Sequence, residues 1–453
     1  MSETNSKIQM SGADLPRREF VRRSSLALAG GAAVSNFPFV ITSHAAPDVQ
    51  IRIGVIGCGG RGTGAALNAL RAVTRVVYPR STYHTEDATS SSRVLAENVK
   101  VVALADVFKD RLDHCREQLK RAGNDVAEDH CFVGFDAYKK LVAAPDVNYV
   151  ILTTPPHFRP MTLRAAIEAG KHVFLEKPAA VDGPGVRHVL ESAELAKKKG
   201  LGIASGAQRR HQPSYVETIK RIHEGAIGEI VECRAYWNGG VIWVIERQPG
   251  WSDMEWQLRN WNYFTWLSGD HIVEQHLHNL DVISWVVGQN PVKASGLGGR
   301  QARKTPEEGH IYDHFAVEYE YANGMRMFSQ CRQMEGCTGN VGEALVGTKG
   351  ISNCADYIKA AQEWRFNGPK PNPYEQTHID LINSIRAGKP INEGREMAES
   401  TLVGIMGRIS CYTGKTVTWD QVLDSKQDLS PAKYEFGNLP FPEVAIPGKY
   451  SFE

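Results

Sequence analysis

Residues 51–70 read IRIGVIGCGGRGTGAALNAL, and few folds accommodate such a run. The apolar segment Ile51 to Ile56 has the makeup of a buried strand. Gly57, Gly59 and Gly62 follow at once in the spacing G-x-G-x-x-G, and Gly64, Ala65, Ala66 and Ala69 then keep one helix face small. In such a strand–turn–helix, Gly57 permits the tight turn and Gly59 lets backbone approach a pyrophosphate. The amides that open the helix hold the negative charge. A glycine pattern alone is weak evidence; the flanking strand and small-residue helix make it specific. Gly57, Gly59, Gly60, Arg61 and Gly62 are therefore the candidate dinucleotide loop.

A second apolar run, KVVALADVF, brings in Asp106. A carboxylate at that strand end accepts from ribose hydroxyls and repels a 2′-phosphate. Val107 and Phe108 supply no arginine, so NAD is expected as cofactor rather than NADP. Asp106 lies 44 residues after Gly62, beyond the usual interval of about 20, and the polar stretch YPRSTYHTEDATSSSRVLAEN reads as an insertion. The plainer reading of Asp106 is a strand-end turn residue. Strand and helix patterns then alternate to residue 205, which implies a parallel, doubly wound sheet.

Within that alternation, KHVFLEKP sets Glu176, Lys177 and Pro178 directly after the buried-strand run Val173, Phe174, Leu175. Proline should end the strand, and the charges would sit at its carboxyl end, where open α/β sheets bind ligands. Thr154-Pro155-Pro156 ends the neighbouring strand at the same crevice. Thr154, Pro155, Glu176 and Lys177 thus join the cofactor-site candidates, although Glu-Lys-Pro by itself is equally a surface turn.

The glycine loop, TTPPHFRPMTLRAAIEAGKHVFLEKP and GDHIVEQHLHNLD follow one another within residues 51–290. In this order and content the chain resembles the Gfo/Idh/MocA family, which includes glucose–fructose oxidoreductase and inositol dehydrogenase. The resemblance implies a Rossmann domain followed by an α+β domain with an open, mainly antiparallel sheet. It also implies that Lys177 lies by the nicotinamide and assists the reacting hydroxyl. His278 would be the acid/base, and Asp281 would complete its His-x-x-Asp context beside substrate. Glu274 stands where the family has Asp, and Pro156 and Arg159 where it commonly has Asn and His.

The residues carry a physical reading of their own. IVEQHLHNLDVISWVVG reads as one helix between Asp270, a plausible N-cap, and the stop Gly288. Positions 274, 278, 281 and 285 then share a face, and a carboxylate four residues from an imidazole can orient it. Removing hydride from a carbinol requires a group to accept the hydroxyl proton. A rival reading makes His271, Glu274 and His278 a metal face, but no outside ligand is evident and no metal is expected. His276 is expected to make a structural hydrogen bond. Upstream, Trp237, Trp256, Trp261, Tyr263 and Trp266 interleave with Arg209, Arg210, Arg259 and Asn260. Aromatic faces stack on sugar C–H faces and arginine meets hydroxyls or a carboxylate, so Arg209 and Trp261 are expected near substrate. Several of these rings should simply fill the core.

Past residue 290, HFAVEYEYANG and MRMFSQCRQ read as a hairpin turning at Asn323-Gly324. The Pro-rich tail FGNLPFPEVAIPGKYSFE should lie irregularly on the surface or against a neighbouring subunit. Of eight cysteines, most are expected to be buried thiols, with Cys331 and Cys337 able in principle to meet. At the other end, Arg17-Arg18, Phe20 and Val21 precede a mild apolar run (Leu26 to Val34) and the small residues Ser43, Ala45 and Ala46. This resembles a twin-arginine export signal, so the expected layout is signal 1–46, Rossmann domain 47–205 and substrate and oligomerisation domain 206–453. The expected location is periplasmic, or otherwise exported by that route.

A formal charge of +1 gives no basic field to attract nucleic acid, and apolar stretches fall short of a bilayer span. The expected partners are a carbohydrate or cyclitol and further copies of the chain, as dimer or tetramer. The leading expectation is hydride transfer between NAD and a ring carbinol of a sugar, sugar acid or cyclitol. Two alternatives are a redox-neutral NAD-dependent glycoside hydrolase and a sugar-binding protein without chemistry.

Overall fold

Six parallel strands, in the order β3-β2-β1-β4-β5-β6, form the first sheet of the computed structural model, which describes residues 49–71 and 98–452. The expected export signal and most of the expected insertion lie outside the described residues. The strands are β1 (Ile51–Ile56), β2 (Val99–Asp106), β3 (Cys131–Val133), β4 (Tyr149–Leu152), β5 (His172–Leu175) and β6 (Ile203–Ser205). Helices α1 (Gly60–Ala69), α2 (Lys109–Arg121), α3 (Ala137–Ala143), α4 (Arg159–Glu168) and α5 (Gly183–Lys199) connect them. Every residue of β4 is buried, as a strand covered on both faces requires. The strand order reverses between β1 and β4, which opens a crevice at their carboxyl ends.

The chain then continues through α6 (Pro213–His223) into β7 (Ile230–Gly239), α7 (Asp253–Arg259), α8 (Thr265–Ser268), α9 (His271–Glu274) and α10 (Leu277–Val287). Next come β8 (Lys293–Gly299), β9 (His314–Glu320), β10 (Arg326–Gln333), β11 (Asn340–Gly347), β12 (Ile351–Ser352), β13 (Tyr357–Lys359) and β14 (Glu363–Arg365). With β15 (Val417–Thr418) these make a nine-stranded sheet in the order β14-β13-β12-β11-β7-β10-β9-β8-β15. Its pairings are antiparallel except for β7 with β10. The β9–β10 hairpin turns where expected, with Gly324 at φ 85°.

Two late helices tie the sheets together. Along α11 (Pro373–Arg386), packing is against α1 and β6 of the first sheet. Helix α12 (Gly394–Thr413), buried over most of its length, packs on both α5 and β8. Its Arg408 is 1% exposed and donates to the carbonyls of Val181 and Gly269, one from each half. A further charge cluster sits nearby, where His211 meets Asp380 (2.7 Å) and Glu393 (3.3 Å). Burial opposes charge on that imidazole, but the two carboxylates outweigh it and raise its pKa to about 10.

Among the described residues no regular element follows α13 (Trp419–Leu423), as the tail's composition implies. The tail lies on its own chain. Leu429 N–H donates to Asp182, Leu439 N–H to Asp253, and Tyr312 Oη to the Ala445 carbonyl. Six of the eight cysteines are buried; Cys331 is buried and Cys337 exposed, both as free thiols.

Candidate active site

A cavity of about 740 Å³ runs along the carboxyl ends of the first sheet. Its floor is the glycine loop. Gly57 sits at φ +96°, and a Cβ there would come within 2.6 Å of the Thr154 amide nitrogen. A Cβ on Gly62 would lie 1.8 Å from the Gly57 carbonyl oxygen, so this glycine permits the turn and helix to touch. At Gly59 a Cβ would meet nothing within 4 Å, which marks backbone open to the cavity. These are the features a pyrophosphate needs at a helix N-terminus, and the residues present fit a dinucleotide.

At the end of β2, Asp106 accepts from the amides of Cys58 (2.6 Å) and Phe108 (2.8 Å), which fixes its carboxylate at the rim of the loop. Burial raises its pKa, and Arg111 with the two amides offsets this only in part. The expectation of no nearby arginine fails here. Arg111 lies in the first turn of α2, its guanidinium 5.0 Å from the Phe108 ring and bonded to the Arg259 carbonyl. The choice of NAD therefore rests on the carboxylate itself.

Glu176 and Lys177 have separate tasks. Glu176 accepts from Arg61 Nε (2.6 Å) and from the Lys177 amide, so it ties the glycine loop to the end of β5. Arg61 lines the cavity with its charge already matched by that carboxylate. The Lys177 ammonium donates to Glu274 Oε1 (2.7 Å) and to the Glu274 carbonyl (2.5 Å), a buried pair that joins the two sheets. Arg159, in place of the family's histidine, is buried and donates to the Pro178 carbonyl (2.5 Å). Thr154 and Pro155 line the same cavity.

The segment expected as one helix is broken. Asp270 and Gly288 cap its ends, but α9 stops at Glu274 and α10 begins at Leu277, with Gln275 at φ −103° between them. The break separates Glu274 from His278. Glu274 turns to Lys177, whereas His278 is half-buried and stacks on Trp237, 5.6 Å between ring centres. Burial, then the charges of Lys177 and Arg209, hold the His278 pKa well below its ordinary value, so the ring is neutral at pH 7. His271 turns inward to Asp270 and the Phe315 ring, away from any metal face. His276 bonds Ser329 (2.8 Å), the structural role expected of it.

Two substrate expectations need correction. Asp281 is 1% exposed and forms a fork with Arg210 (2.8–3.1 Å), with Ser400 completing it, so it cannot meet a ligand. Arg209 stands near His278 across Trp237, yet its charge is committed to buried Glu343 (2.6 Å), which Asn279 and Tyr215 also hold. Trp261 does line the cavity, beside Trp243 at 5.8 Å. Trp256, Tyr263 and Trp266 fill the core. Sequence reasoning missed Asn262, Gln275 and Tyr434, which also line the cavity. Only Gln275 left a trace, next to the acid of the family motif.

Comparison with known proteins fits this geometry. Residues 51–206 match the family described as oxidoreductase family, NAD-binding Rossmann fold, and residues 219–390 match its C-terminal alpha/beta domain. Inositol 2-dehydrogenase of Agrobacterium fabrum is 28% identical over 276 residues, covering 61% of this chain and 65% of that protein. The 2,7-anhydro-N-acetylneuraminate hydratase of Escherichia coli is 26% identical over 202 residues, 45% of this chain and 50% of that one. The match thus spans half to two thirds of the length of these curated relatives. Among solved structures, scyllo-inositol dehydrogenase from Lactobacillus casei with bound NAD(H) and scyllo-inositol aligns with a TM-score of 0.60 at 18% identity, over 82% of this chain and 99% of that one. Aldose-aldose oxidoreductase from Caulobacter crescentus complexed with glycerol aligns with a TM-score of 0.60 at 17% identity, over 82% and 100%. With its NAD-binding Rossmann sheet and its C-terminal α/β sheet both matched, the chain belongs to the Gfo/Idh/MocA family of oxidoreductases.

Proposed function

We propose that the protein moves a hydride between NAD and a ring carbinol of a sugar or cyclitol. The observation that carries this is the buried Lys177–Glu274 pair at the end of β5, lining the same cavity as the glycine loop. Bound NAD supplies the hydride acceptor. Glu274 positions the Lys177 ammonium so that it can donate to the carbinol oxygen and stabilise the charge left when the proton departs. Neutral His278 takes that proton, and its depressed pKa keeps it competent down to pH values below 6.5. Trp237 and Arg209 hold the ring from behind.

The test is NADH formation from myo-inositol and a panel of aldoses, with Lys177→Ala and His278→Ala alongside. Each substitution should cost on the order of 10² to 10⁴ in rate. Full activity in His278→Ala would sink the assignment.

A second reading has one observation in its favour. Tyr434 of the tail closes part of the cavity and bonds His157 (2.8 Å), a device suited to keeping a cofactor in place. A resident cofactor could be oxidised and reduced within one turnover, as in a hydrolase or hydratase. Steady product release at constant NADH absorbance would favour it.

The remaining layout is part of the same proposal: an export signal at 1–46, domains 47–205 and 206–453, and function in the periplasm. Self-association is supported by Leu297, Phe328 and Val346, exposed on the nine-stranded sheet. Among the described residues no helix is long and apolar enough to cross a membrane.

A further inference from the structure

The charged groups around the substrate side of the cavity are already engaged by protein groups, Arg159 by the Pro178 carbonyl rather than by a carboxylate. Lys177 pairs with Glu274, Arg209 with Glu343, and Arg259 with Asp110 and Glu255. Asn262 is different. It is 1% exposed, lines the cavity beside Trp261, and neither end of its carboxamide has a partner. Leaving a buried polar group unpaired is costly, and here a donor and an acceptor are both unpaired.

Gln275 is the second neutral group, and its orientation is fixed from behind. Arg303 has only donors and bonds Gln333 Oε1. Gln333 must then present its NH₂, which donates to Gln275 Oε1 (2.8 Å). The Gln275 oxygen is thereby occupied and its NH₂ is left as a donor for the cavity that it lines. Arg303 is itself held by the Tyr312 carbonyl and the Tyr263 ring.

We propose that Asn262 and Gln275 bind hydroxyls of a neutral polyol, an unmodified sugar ring or cyclitol, and that the site rejects sugar acids. This rests on the oxidoreductase reading above. A hydroxyl both donates and accepts, and adjacent hydroxyls offer Asn262 what each end of its carboxamide lacks. A carboxylate only accepts, so it offers the Asn262 oxygen no donor, and the Lys177, Arg209 and Arg259 charges it could meet are already paired.

The experiment is calorimetric titration of the full chain with added NAD, using myo-inositol, D-glucose and D-glucuronate as probes. At least one neutral probe should bind, and glucuronate at least tenfold more weakly. Asn262→Leu should weaken the neutral probe on the order of 10- to 100-fold. Its melting temperature should hold or rise, because an unpaired buried amide has been replaced by an apolar group of similar shape. Gln333→Leu should weaken binding by a smaller factor, since it acts through Gln275. Glucuronate binding as tightly as the neutral probes would overturn the proposal. So would unchanged binding by Asn262→Leu, or no binding by any probe. NADH formed from glucuronate would leave the oxidoreductase reading standing while this inference fell.

Discussion

The floor of the cavity and its far wall are made of different materials. On the floor, backbone performs the work: Gly57, Gly59 and Gly62 set distances, and the Asp106 carboxylate is fixed by two amides. At the wall and in the core behind it, side chains do, and most charges are spent on another side chain. Lys177–Glu274, Arg209–Glu343 and Arg210–Asp281 each join segments far apart in sequence. A ligand at the floor therefore meets a surface formed by local geometry. A ligand at the wall meets what the pairings have left over, which includes the neutral Asn262 and Gln275.

The hardest blow to the core behind the wall should be Asp281→Ala. It leaves Arg210 buried and unpaired, so about 3–5 kcal/mol of stability should go. Arg210→Met with Asp281→Leu should recover much of it. Denaturant unfolding checks both. If Asp281→Ala kept its midpoint and lost only substrate affinity, Asp281 would be a binding residue after all.

The floor breaks differently. Gly62→Ala drives a Cβ into the Gly57 carbonyl and should cost at the upper end of ~1–3 kcal/mol. Gly59→Ala has open space and φ −68°, so stability should stay within about 1 kcal/mol while NAD binding weakens. NAD titration by fluorescence, paired with thermal melts, separates the two. Equal losses of stability at both positions would mean that Gly59 is structural.

A further effect concerns pH and the buried joint between the sheets. The His211 pKa is raised to about 10 in the folded chain, against about 6.5 when unfolded. The stability it contributes is complete below pH 6.5 and fades as pH rises through 10. His211→Gln should flatten that decline, measured as the melting temperature between pH 6.5 and 10. An unchanged slope would remove His211 from the account.

The same contrast explains what was legible. The floor could be read because its chemistry is local: strand, glycine spacing and helix occupy residues 51–69. The strand ends at Thr154 and Glu176 followed from buried apolar runs stopped by proline. The wall could not be read in this way. Glu274 and Lys177 are 97 residues apart and Glu343 and Arg209 are 134 apart, so no spacing announces either pair. The break at Gln275 was hidden because the apolar period runs through it unchanged. Arg111 escapes a pattern confined to the two residues after Asp106, because the helix that follows brings the fifth one back.

One consequence of the tail concerns the order of biosynthesis. The glycine loop, the Lys177 strand end and the Trp261 wall are all translated before residue 290, whereas Tyr434, which seals part of the cavity, follows both sheets. Phe436 lies over Phe108 and Phe135 on the adenosine side. The part of the lining that Tyr434 contributes is therefore the last of the cavity to be synthesised.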